Sequence, residues 1–183
     1  MSDSYFGDFQ HEELILILSI PYRAGIWMSH KDDIELTERD DQKERMALEA
    51  VLERILNKSG GKSFVRGVVR EIIVHKAEWQ GWADAADTVL DDIDRAIALV
   101  DARLPAPEAL QYRKCIFHVA KTVAMAAYEG GASSAGLDQV VGGKLLGRLV
   151  DWVSARSGEQ IPANISEAER KALSELLQRL KDR

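Results

Sequence analysis

A single cysteine, Cys115, cannot close an internal disulfide or build a cysteine-based zinc site, so the chain suits a reducing compartment such as the cytoplasm. Proline is scarce, with four residues at 21, 105, 107 and 162, which leaves two long stretches free of helix breakers. Long apolar runs are missing as well. The all-aliphatic run at residues 14–18 continues past Ser19 to Ile20 and stops at Pro21. A membrane span needs about 20 apolar residues. A secretory signal opens with basic residues, whereas Asp8, His11, Glu12 and Glu13 precede this run. The expectation is a protein inside the cell and off the membrane. A basic excess is also absent: 24 Lys+Arg face 30 Asp+Glu, for a net charge of −6. That balance argues against a nucleic-acid binder, which needs a basic face to neutralise phosphates.

What is present is a 46% apolar chain of 183 residues, enough for one real core and one domain spanning 1–183. Apolar residues recur at helical spacing. Leu48, Val51, Leu52 and Ile55 follow i, i+3, i+4, i+7, as do Val65, Val68, Val69 and Ile72. Ala86, Leu90, Ile93, Ile97, Val100 and Leu104 alternate steps of four and three, and similar stripes lie within 116–127, 146–153 and 173–180. No period of two is sustained, so the fold class is all-α, a single-domain helical bundle. The spacing predicts about seven helices, over 8–29, 41–57, 62–79, 83–104, 107–129, 138–156 and 166–181. Gly60-Gly61, Gly81 with Asp84, Pro105-Ala-Pro107 and Gly130-Gly131 mark breaks. Pro21 is expected to kink the first helix or break it in two.

An internal likeness runs through the chain. Residues 44–55 and 169–180 share Glu, Arg, Ala, Leu, Leu and Arg at equivalent positions. Asp41-x-x-Glu44 and Ser166-x-x-Glu169 both read as capping boxes, in which the first side chain accepts from a free backbone N–H and the Glu reaches back. Each is preceded by an apolar helix and a polar loop. Two readings stay open: a duplication, packed as a pseudo-symmetric pair with the 62–104 helices inserted, or two amphipathic helices that bury similar stripes.

The paired units carry a resemblance. Val-Ala-Met-Ala-Ala-Tyr-Glu-Gly at 123–130 with Ser-Glu-Ala-Glu-Arg-Lys-Ala-Leu at 166–173, and residues 27–33 with 41–48, resemble the TerB-like fold of tellurite-resistance proteins. These pieces cover well under half of the chain. Where the family has Asp-Gly a few residues before the helix acid, this chain has Glu129-Gly130, about 40 residues ahead of Glu169; the first unit lacks the glycine. The resemblance implies an all-helical fold, a metal- or stress-related role and no established catalysis. It also implies two ligand pairs, Asp33 with Glu44 and Glu129 with Glu169.

The acidity is local. Residues 32–44 hold seven acids and two bases, so this short segment carries five of the six net negative charges. Charge of that density attracts cations and repels anionic surfaces. Counted from Asp33, oxygen donors fall at positions 1 (Asp33), 3 (Glu35), 5 (Thr37), 9 (Asp41) and 12 (Glu44), with the Arg39 carbonyl at 7, the ligand spacing of an EF-hand loop. Position 6, where that loop needs glycine, is Glu38. The plainer reading is a solvated loop whose last acids cap a helix and complement its dipole.

Other constellations are incomplete. Glu71, His75 and Glu78 share a helix face, and Asp87, Asp91 and Asp94 follow on the next, but the chain has no Glu-x-x-His motif of di-iron bundles. Cys115 and His118 lie one turn apart without a visible orienting group, and read as a buried thiol and a core histidine. Gly60-Gly61-Lys62-Ser63 lacks the first glycine of a phosphate loop and follows a helix, so it reads as a turn, and Gly142-Gly143-Lys144 is no closer to one. The expected function is a non-catalytic helical domain that takes a divalent cation, or a protein partner, through residues 32–44, with Asp33, Glu35, Asp41 and Glu44 as leading ligands. The alternative is a metal-independent interaction or oligomerisation bundle using surface near Trp27, Trp79, Trp82 or Trp152. An enzyme assembled from dispersed carboxylates and His75 is a third reading, testable by whether His75 lies in a deep pocket.

Overall fold

The structure, a computed structural model, describes residues 6–32, 38–58, 63–128 and 165–181. Seven α-helices lie among the described residues: α1 His11–Ser29, α2 Glu38–Lys58, α3 Phe64–Val74, α4 Trp79–Asp84, α5 Val89–Arg103, α6 Ala106–Tyr128 and α7 Glu167–Lys181. Short 3₁₀ turns at Phe6–Asp8, His30–Asp32, Lys76–Glu78 and Ala86–Thr88 join or flank them. The all-α bundle expected from the spacing is what the chain forms. The predicted 138–156 helix, Trp152 and the Gly60-Gly61, Gly130-Gly131 and Gly142-Gly143 breaks lie outside the described residues.

α1 and α6 form the central pair, the most extensive packing in the bundle. α2 pairs with α3 and α5 with α7, and both pairs pack on the central helices. Burial of α1 is complete from Ile17 to Ser29, so the apolar run near the start of the chain is the core of the bundle. Pro21 sits inside that helix, which runs unbroken from His11 to Ser29. A proline has no N–H for the carbonyl four residues earlier. That carbonyl belongs to Ile17, and it accepts the hydroxyl of the fully buried Tyr112 on α6 at 2.7 Å. The helix is thus not broken at Pro21, and the freed carbonyl has an outside donor.

The helix ends follow local chemistry. Glu13 reaches back to accept the Gln10 backbone N–H at 2.8 Å and also holds Arg103 of α5 through both guanidinium N–H groups. Ser63 caps α3, its hydroxyl accepting from Arg66 N–H at 3.2 Å, and Glu108 of α6 accepts from the next free N–H, that of Phe64, at 3.0 Å. The predicted box at Ser166 and Glu169 forms in both directions, at 3.1 and 2.9 Å. Its counterpart at Asp41 does not, because α2 already begins at Glu38 and Asp41 lies one turn inside it. The single helix expected over 62–79 is split, with α3 ending at Val74 and a 3₁₀ turn leading into α4. Gly81 lies within α4, and the break falls at Ala85 instead.

α2 and α7 bury equivalent stripes: Ala47, Leu48 and Val51 match Ala172, Leu173 and Leu176, and all six are buried. Both helices lie against α6, and the helices that precede them in the two units, α1 and α6, form the central pair.

Candidate functional site

Of the six carboxylates expected as ligands, only Glu169 has a described side chain. It is buried and engaged in capping α7. Asp33, Glu35 and Glu129 lie outside the described residues, and for Asp41 and Glu44 only the helical backbone is described. Because α2 begins at Glu38, more than half of the twelve-residue calcium loop counted from Asp33 is helix, so the EF-hand geometry does not apply. Among the described residues, no three His, Cys, Asp or Glu groups converge as a metal centre would require.

The other sequence candidates separate. His75 ends α3 with its side chain about half exposed, and its Nε2 lies 3.8 Å from Glu71. Asp91 and Asp94 of α5 hold Arg179 of α7, at 3.5 and 2.8 Å, as a link between helices. Cys115 is buried on α6, and burial pushes its thiol up to about 12, so it is an unreactive thiol at neutral pH. His118 is likewise buried in α6. Of the tryptophans named for an interaction surface, the three described ones pack against the bundle. Trp27 and Trp82 are buried; Trp79 is half-buried and stacks on Tyr22 at 4.7 Å. Lys76 covers its ring at 5.0 Å, and its indole N–H donates to the Ile72 carbonyl at 2.9 Å. The N–H of Trp79 is thus already used within the fold.

A cleft of about 310 Å³ opens where the end of α1, the first half of α2 and the α4–α5 junction meet. Its floor is apolar, built from Ile26, Leu48, Ala83 and Val123 around Gly25. Gly25 has a packing reason: a Cβ there would come within 2.7 Å of Leu48 Cδ1 and 3.2 Å of Val119. One wall carries His30 and Arg45, and the other Gln80, Asp84 and Asp87. A smaller pocket of about 230 Å³ shares Arg45, Leu48, Gln80 and Ala83 and extends the groove toward Tyr22 and Trp79. Burial pushes the Tyr22 phenol up, while the nearby Arg45 charge pulls it down.

The acidic wall is held from below by Arg23. This lone cation in the buried stretch of α1 donates to the Ala85 carbonyl at 3.2 and 2.6 Å, to the Thr88 hydroxyl at 2.8 Å and to Asp92 at 2.7 Å. Ala85 and Thr88 bracket Asp87, so the clamp fixes the turn that presents it. Desolvation pushes the Asp92 carboxyl up, but the hydrogen bonds from Arg23 and Thr88 and the charges of Arg23 and Arg95 outweigh it and hold the group below its ordinary value. The sequence singled out none of Arg23, His30 or Arg45 as site residues. The signal it did contain was Arg23, one charge amid residues that helical spacing assigns to the core.

No family model matches the chain, and no curated protein or solved structure matches it. Among the described residues, no helix is long and apolar enough to cross a membrane.

Proposed function

We propose that the chain is a non-catalytic cytoplasmic helical domain of TerB-like type, which binds a divalent cation or a protein partner through its acidic segment, residues 32–44. The observation that carries this reading is the placement of the segment's ends. The chain leaves the lining of the cleft at His30 and returns to it at Arg45, so the segment with its seven acids is joined at both ends to a cleft that is itself lined by Asp84 and Asp87. Such a concentration of negative charge draws cations to this corner of the molecule. The unreactive Cys115 thiol and the exposed His75 support a binding role over a catalytic one.

Calorimetric titration of chelator-stripped protein with Ca²⁺, Mg²⁺, Mn²⁺ and Zn²⁺ tests the metal. Saturable heat lost in an Asp33→Ala/Glu44→Ala variant is the expected result. No heat from any ion reduces the segment to helix capping and solubility. The metal-independent alternative, self-association or protein interaction, is favoured by Met46 and Val74, both more than half exposed. A dimer whose light-scattering mass ignores chelator would select it.

A further inference from the structure

We propose that the cleft between α1, α2 and α4 binds a small zwitterion with an apolar body, a free amino acid or a dipeptide. The cleft holds an unclosed charge pair. Arg45 stands on one wall and Asp84 and Asp87 on the other, yet among the described residues no ion pair joins them. Asp84 accepts only from Gln80 on its own helix, at 2.9 Å, a bond that orients it. Leu48, Ala83 and Val123 line the same cleft, and Arg23 fixes the Ala85–Thr88 turn that carries Asp87.

A simple cation in this cleft meets Arg45, and a simple anion meets the two aspartates. A molecule with a carboxylate at one end and an ammonium at the other gives each wall its partner and lays its apolar part on the floor. The volume, about 310 Å³, lies at the small end of ligand sites, which excludes a dinucleotide or a folded partner. Because the charged groups are exposed, their contribution is screened by salt.

The test is calorimetric titration of the metal-free full chain, at low ionic strength, with L-leucine and with L-leucyl-L-leucine. N-acetyl-L-leucine amide, which has the apolar body without either charge, is the control. Arg45→Gln and Asp87→Asn change exposed residues, and thermal melts verify that both variants fold. Saturable binding of at least one zwitterion is expected, with at least a tenfold loss for the control, for each variant and on adding salt. Which zwitterion binds sets the size of the ligand. The proposal is overturned if neither zwitterion gives saturable heat, if the control binds as tightly, or if the variants bind like the parent. Binding that survives Asp33→Ala/Glu44→Ala belongs to the cleft alone, so its outcome is read separately from that of the metal titration.

Discussion

Tyr112 on α6 donates its hydroxyl to the carbonyl of Ile17 on α1, the one carbonyl that Pro21 leaves without a helical partner. Both residues are fully buried, so no water substitutes. Tyr112→Phe leaves that carbonyl unsatisfied and costs roughly 1–3 kcal/mol. Pro21→Ala restores an N–H four residues on, so in that background the same Tyr112→Phe change costs much less. A double-mutant cycle by denaturant unfolding measures the coupling. Equal costs in the two backgrounds would show that Pro21 is not what makes the hydroxyl necessary.

Arg23 and Asp92 form another cross-link of α1, to α5. The guanidinium is almost wholly buried, and removing it leaves the Ala85 carbonyl and Asp92 without their shared donor. Arg23→Met is expected to destabilise by about 3 kcal/mol, the low end for breaking a buried pair. The depressed carboxyl also sets a pH dependence. Stability from Asp92 is present above its unfolded value and lost as pH falls through its lower folded one. Thermal melts of the parent below pH 4 should therefore approach those of Arg23→Met, and a gap that stays constant with pH would refute the pairing.

The helical class was legible because core stripes repeat at 3.6 residues, and the α7 cap because Ser166 and Glu169 have the right spacing. The 62–88 region was misread since its apolar periodicity runs on through 3₁₀ turns that change direction without glycine or proline. Trp27 and Trp82 were expected to form a surface, but rings of such apolar area are drawn into the core. The cleft was illegible for a different reason. Arg45 and Asp87 lie on separate elements, brought together by how α2 and α4 pack on α1, and no local spacing encodes that.

Glu13 gives a sharper pH test. The hydrogen bond from Arg103 lowers its carboxyl most, the Gln10 N–H adds to this, and together they bring it from 4.5 to about 2. A depressed acid contributes stability above its unfolded pKa and loses it as pH falls toward the folded one. The midpoint difference between the parent and Glu13→Gln should be full at pH 7, begin to shrink below about pH 4.5 and vanish near pH 2. A difference independent of pH would mean that Glu13 acts by packing alone.

Lys114 presents the opposite case. It is 5% exposed on α6, and among the described residues no acid pairs with it. Desolvation lowers its amine from the ordinary value of 10.5, because the fold disfavours the charged form. Below that pH the unfolded chain binds more protons than the folded one, so stability rises with pH as the amine discharges. Lys114→Met keeps the length of the chain and removes the charge. It should stabilise the protein at pH 7 by about 1 kcal/mol, which is a rise of roughly 2–4 °C in Tm for a chain of this size. The gain should shrink as pH rises through the lowered folded value toward 10.5 and be gone well above it, where the amine is neutral in both states. A fall in Tm at neutral pH would show that the ammonium has an acceptor, and that its burial is part of the design of α6 and not a cost.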